Sequence, residues 1–305
     1  MAMRVPLHFL SSSIRKLLIL GGFFATALTD RAYPQQQTSE ASVSIAKLRA
    51  RAESGEPLAR KQLSDLLVQG NLAGSDYDLV LPLIRSAASR KEPGGQFLLG
   101  YLYEHGLGVS RDYHKAAENY EAAALQGDPN GQNNLANLYH RGLGVHKDGA
   151  KAFHLFLAAA QQGNRIAQWN LGYAYLEADG THRDLSQAVR WFRAAAELGD
   201  PLAQHDLAVL YSKGLGVQVD YAEAARWEGL AARQGDIQAE TGLGYLYETG
   251  KGVPLSYCEA YVWYSRAGGA GDAMASRRLK SLSHIMTANQ LAAAAKLLVT
   301  ESIPQ

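Results

Sequence analysis

Cysteine is nearly absent from this chain. Cys258 is the only one in 305 residues, which excludes an intramolecular disulfide and leaves packing to hold the fold. No cysteine follows the N-terminal apolar run, which argues against a lipid anchor. A surplus of positive charge is missing as well: 30 Lys and Arg against 29 Asp and Glu give a formal charge of +1. No basic field exists to hold a nucleic-acid backbone, so nucleic acid is not an expected partner. Proline is scarce, at 9 residues against 30 glycines. With Ala-rich stretches throughout, that balance favours close-packed helices broken by glycine turns over a β-sandwich.

Catalytic signatures are also lacking. The sequence holds no H-E-x-x-H, no phosphate-binding glycine loop after a strand and no G-x-S-x-G elbow. Its S-x-x-K match, Ser13 to Lys16, lies in the N-terminal segment. His146 and His182 stand 36 residues apart, at equivalent places in adjacent repeats, but two ligands are too few for zinc. No catalytic residue, metal or cofactor is expected, and the chain is not expected to be an enzyme.

The first 27 residues have the pattern of a secretory signal. Arg4, Arg15 and Lys16 form a positive region, Leu17 to Phe24 an apolar one, and Ala25-Thr26-Ala27 a cleavage site. The apolar run falls short of the about 20 residues a membrane span needs, so no span is expected in the mature form, an uncleaved anchor being the alternative. Residues 28–40 are expected to be a flexible linker. Periplasmic or secreted localisation, in a Gram-negative bacterium, follows as the expectation.

What the chain has in abundance is repetition, with a period of 36 residues. Leu99, Leu135, Leu171, Leu207 and Leu243 occupy one position, Tyr103, Tyr139, Tyr175, Tyr211 and Tyr247 another, and Gly127, Gly163, Gly199, Gly235 and Gly271 a third. Each unit has the pattern of two antiparallel helices. The first ends at a G-L-G-V turn such as Gly106 to Val109, whose leading glycine is placed for the left-handed conformation. The second opens at Asp112, Asp148, Asp184, Asp220 or Ser256, where an oxygen can accept the free N–H groups of the first turn. Asp128-Pro129 and Asp200-Pro201 open the following units in the same way. Alanine pairs such as Ala159-Ala160 and Ala195-Ala196 let neighbouring helices approach closely. Such units cannot bury their apolar faces alone and must stack. The expected fold is therefore all-α, a right-handed α/α superhelix of TPR-like repeats. Residues 41–58 are expected to form a half-repeat helix, 59–272 six repeats with the first degenerate, and 273–305 capping helices with a capping box at Thr287 to Gln290.

The unit pattern, as in Leu135, Tyr139, Gly142-Leu143-Gly144-Val145, Lys151-Ala152 and Ala159-Ala160, resembles the Sel-one-like repeat, a relative of the tetratricopeptide repeat. The resemblance covers roughly residues 59–272, and Ala178-Asp179-Gly180-Thr181 departs from its turn. It implies an adaptor that holds a protein or peptide in envelope signalling or complex assembly. Some cysteine-rich relatives are β-lactamase-like, and this chain lacks their cysteines.

In such solenoids the first helices line the concave face. Positions opposite the buried stripe carry Phe97, Asn133, Trp169, His205 and Thr241, then Tyr101, Asn137, Tyr173, Val209 and Tyr245. Phe97, Tyr101, Asn133, Asn137, Trp169, Tyr173, His205 and Tyr245 are the expected partner-binding residues, because aromatics on a wet face anchor interfaces. Packing against the next repeat is the competing reading for them. Trp191, Trp227 and Trp263 recur at one second-helix position and are expected in the core. A glycan or peptidoglycan binder that stacks sugars on Trp169 and Tyr173 is the alternative function. The capped ends favour a monomer.

Overall fold

A computed structural model describes residues 74–301, together with 45, 47–56, 59, 62, 63 and 66. The expected signal segment and linker lie outside the described residues. Thirteen helices are delimited here: α1 (Gly74–Ser89), α2 (Pro93–His105), α3 (Tyr113–Ala124), α4 (Pro129–Arg141), α5 (Gly149–Gln161), α6 (Arg165–Glu177), α7 (Leu185–Glu197), α8 (Pro201–Lys213), α9 (Tyr221–Arg233), α10 (Ile237–Thr249), α11 (Tyr257–Gly269), α12 (Ala273–Ile285) and α13 (Ala288–Glu301). No strand occurs among the described residues, and the fold is all-α and repeated, as expected. The chain divides into two compact units between Asn119 and Tyr120, inside α3.

In the first unit α1 packs on α2. Their core holds Tyr77, Val80, Ile84 and Leu102, together with Ile45 and Leu63 from the earlier segment. In the second unit each first helix packs on its own second helix, and each second helix on the next first helix, from α4 through α12. The last helix, α13, closes the stack by packing on α11.

Local chemistry fixes where these helices begin. Asp128, Asp200, Asp236 and Asp272 each accept a hydrogen bond from the backbone N–H three residues on, at 2.6–3.0 Å. Asp112, Asp148, Asp184 and Asp220 do the same for the second helices, and Ser256 for α11. The capping box is present: Thr287 N–H donates to Gln290 Oε1 at 2.9 Å, and Gln290 N–H to Thr287 Oγ1 at 3.3 Å.

The two glycines of each turn have different duties. The leading one, as Gly142, Gly214 and Gly250, is the left-handed C-cap of the first helix. The trailing one also has a positive φ, and it presses on the preceding repeat: a Cβ at Gly180, Gly216 or Gly252 would overlap the backbone carbonyl of Gly149, Leu185 or Tyr221. The turn is thus a helix terminator, as expected, and also the contact that seats one repeat on the last.

The fourth unit keeps this geometry with altered residues. Ala178 takes the left-handed cap at φ 62. Asp179 joins His140 of the preceding repeat in a short hydrogen bond, chiefly through which its carboxyl is held below the ordinary range.

Candidate functional site

The expectation of a wet aromatic stripe needs correction. Of the eight residues assigned to it, Phe97 and Asn133 are buried, at 7% and 4% exposure. Tyr101, Asn137, Trp169, Tyr173, His205 and Tyr245 are half-buried. Stacking explains the difference. Within the second unit, side chains of one first helix reach polar side chains of the next, which takes part of this column out of solvent. Asn170 Nδ2 donates to Asn133 Oδ1 at 2.9 Å, and Asn133 Nδ2 to Asn134 Oδ1 at 3.0 Å. Asn134 Nδ2 then donates to the Tyr120 hydroxyl at 3.2 Å. The structure therefore links the repeats along this face by a polar chain, and Asn134 and Asn170 are engaged within it.

Farther along the face the chain becomes charged. Trp169 Nε1 and the Tyr173 hydroxyl both donate to Asp206 Oδ2, each at 2.9 Å. The two rings meet edge to face with centroids 4.8 Å apart, and Tyr173 makes a second edge-to-face contact with Phe192. Beside Asp206, the His205 Nδ1 lies 2.8 Å from Glu228 Oε2, so the protonated imidazole donates to the carboxylate. Asp206 and Glu228 are both buried. Burial is the main reason that Asp206 is pushed up to about 6, with hydrogen bonds from Trp169 and Tyr173 and the charge of His205 opposing it. Burial also pulls His205 down, but the Glu228 carboxylate outweighs it and holds the imidazole at about 9. Glu228 is raised, chiefly by burial.

Glu228 is the residue that sequence reasoning missed. Its column reads Tyr120, Phe156, Phe192, Glu228 and Tyr264, four buried aromatic rings and one buried carboxylate. The signal was a single charged residue in an otherwise aromatic column of a second helix. Its neighbour is adapted to it: a Cβ at Gly242 would collide with Glu228 Oε1.

Near the last repeat, Tyr245 is flanked by cations. Lys251 Nζ donates to its hydroxyl at 3.2 Å, and Arg278 lies 4.9 Å from its ring centroid. Arg278 also pairs with Glu248 at 2.9 Å, the acceptor of the Tyr264 hydroxyl. Trp227 and Trp263 are buried and Trp191 is half-buried. Their indoles pack on the alanine pairs of the preceding second helix, in the core as expected. Among the described residues no group of three or more His, Cys, Asp and Glu is placed to hold a metal ion, and no helix is long and apolar enough to cross a membrane.

The Sel1 repeat family model matches five consecutive stretches, 93–128, 129–164, 165–200, 201–236 and 237–272. A protective antigen of uropathogenic Escherichia coli with an SLR fold is 34% identical, with a TM-score of 0.70 over 83% of this chain and 54% of that one. This chain thus spans about half of the antigen's length. A Sel1 repeat protein from Oxalobacter formigenes is 28% identical, with a TM-score of 0.63 over 76% of this chain and 94% of that one. No curated protein matches the chain. Family members are generally protein-interaction scaffolds and typically non-catalytic. With its five matched repeats and its turn-on-turn stacking, the chain belongs to the Sel1 repeat family.

Proposed function

We propose that the protein is an exported scaffold that binds a protein or peptide partner along its first-helix face, in envelope signalling or complex assembly. The observation that carries this reading is the Trp169–Tyr173 pair. Both rings are half-buried, locked edge to face and tied at their polar ends to one buried carboxylate. Fixed, partly exposed amphipathic rings offer contact area at little cost in side-chain entropy, as interface anchors do. Tyr245 adds a half-buried ring at the repeat position of Tyr173. The signal-like N-terminus supports an envelope or secreted location.

The test is capture from envelope fractions by the mature protein and by a Trp169→Leu/Tyr245→Leu variant whose helicity matches. A defined protein that co-purifies with the parent and is lost with the variant is the expected result. Equal capture by both, or capture of cell-wall sacculi alone, overturns the reading and favours a glycan binder.

A further inference from the structure

Three departures from the repeat coincide in residues 201–236. His205 stands where the other repeats have Phe97, Asn133, Trp169 and Thr241. Asp206 stands where they have Leu98, Asn134, Asn170 and Gly242. Glu228 replaces a buried ring. The four neutral versions show that stacking needs none of these charges, and a buried ionic cluster is a poor way to gain stability, since apolar residues of similar volume do as well or better. The cluster therefore answers to something other than the fold.

Its charge does not balance. His205 neutralises Glu228 and leaves Asp206 as the surplus, with Asp236 adding negative potential at all three groups. Glu240, the next acid along, has Arg266 at 4.0 Å, and Glu177 adds negative potential at Tyr173. The bound oxygens are Asp206 Oδ2 and Glu228 Oε2. Asp206 Oδ1 and Glu228 Oε1 accept no hydrogen bond from the described residues, and neither is sealed from solvent. Each belongs to a side chain more than nine-tenths buried; Trp169 and Tyr173 stand beside Asp206, and Gly242 beside Glu228 Oε1.

We propose that His205, Asp206 and Glu228, walled by Trp169 and Tyr173, form a subsite for one cationic side chain, lysine or arginine, of the peptide partner. This rests on the scaffold reading and specifies its ligand chemistry. The incoming ammonium or guanidinium pairs with Asp206 Oδ1 and lies against the indole face, the two interactions a desolvated cation gains most from. Because Asp206 must be ionised to pair, binding below about pH 6 releases a proton.

The experiment uses the full chain labelled at its tryptophan indoles, with the Trp169 resonance assigned by a Trp169→Phe variant. The probes are blocked Gly-Arg-Gly and Gly-Lys-Gly tripeptides, with Gly-citrulline-Gly as the uncharged control. The expected result is a saturable shift of the Trp169 indole N–H with the cationic tripeptides and none with citrulline. Affinity falls about tenfold or more in Asp206→Asn, which keeps the acceptor for Trp169 and Tyr173, and falls also in Glu228→Gln. Below pH 6 it drops by about tenfold per pH unit. An equal response to citrulline, an undiminished response in Asp206→Asn, or no saturable shift overturns the subsite. The scaffold reading is judged separately. If the tripeptides fail while Trp169→Leu/Tyr245→Leu still loses a defined partner, only the subsite falls; if they bind through Asp206 and no partner is captured, only the scaffold falls.

Discussion

At the scale of single residues, the repeat acts as its own control, because each side chain has four counterparts in the same setting. Gln132 and Gln204 each send Nε2 to a carbonyl of the preceding second helix, and each receives Gln162 or Gln234 on Oε1 at 2.8 Å. Gln168 makes the first bond, at 3.3 Å, but its Oε1 is buried without a partner. The reason is Leu198, which occupies the donor's place and is itself 52% exposed. Leu198→Gln should satisfy that acceptor and remove an exposed apolar group, stabilising the protein by about 1 kcal/mol; a denaturant midpoint no higher than the parent's would reject the argument. The His205–Glu228 pair sets a pH dependence at the same scale. His205 holds its proton to about 9 in the fold and to about 6.5 when unfolded. Its contribution is complete below about pH 6.5 and lost as pH rises through about 9, at most about 3 kcal/mol. Asp206, raised to about 6, adds a loss in the same direction between about pH 4 and 6. A His205→Asn/Glu228→Phe variant restores the column's aromatic ring. It should match or exceed the parent's melting temperature at neutral pH and lose the decline between about pH 6.5 and 9. Parallel melting curves for the two proteins would rule the pair out as the source.

At the scale of elements, what was legible in the sequence is what is local. Every second-helix cap from Asp112 to Ser256 was readable, because the bond spans two or three residues and the residue types that make it are few. The inner face was not. Whether Trp169 is wet depends on Asp206 of the next repeat, which holds its indole N–H, and that is not written in a 3.6-residue periodicity. The trailing turn glycine lay between: its recurrence was plain, but its reason, a carbonyl of the previous repeat, required the packed structure. That reason makes a ranking. Gly199 and Gly216 both have positive φ, +84 and +73, yet a Cβ meets nothing at Gly199 and overlaps Leu185 O at Gly216. Each alanine pays the left-handed penalty of about 1–2 kcal/mol. Gly216→Ala adds the collision and should cost well beyond that, while Ala178→Gly, which relieves a left-handed alanine, should gain about 1 kcal/mol. Equal losses at Gly199 and Gly216 by chemical denaturation would show that the turn does not bear on its neighbour.

At the scale of the molecule, stability in the unit from Tyr120 onward is a chain of neighbour contacts, since its main helix contacts run within a repeat or to the next. The closing helix α13 is then the one element whose loss has a direction. It covers α11, burying Ala294 completely and packing Leu291 with Met286, Tyr257, Cys258 and Tyr261, and Cys258 Sγ lies 3.5 Å from Gln290 O. Removing residues 287–305 uncovers that cluster and leaves the terminal repeat without its outer neighbour. The expected outcome is a graded loss of amide protection in hydrogen exchange, greatest in α11 and α12, smaller in α9 and α10, and absent in α4 and α5. The gradient follows because a helix that loses a neighbour weakens only the helices it touches, and each interface passes on part of the deficit. The same truncation should largely preserve the tripeptide response of Trp169, as α6 and α8, which carry Trp169, Tyr173 and Asp206, lie away from the exposed end, and α9, which carries Glu228, is weakened less than α11 and α12. A uniform loss of protection from α4 to α12 would mean that the unit unfolds as one cooperative block, and that its repeats do not hold their stability pairwise.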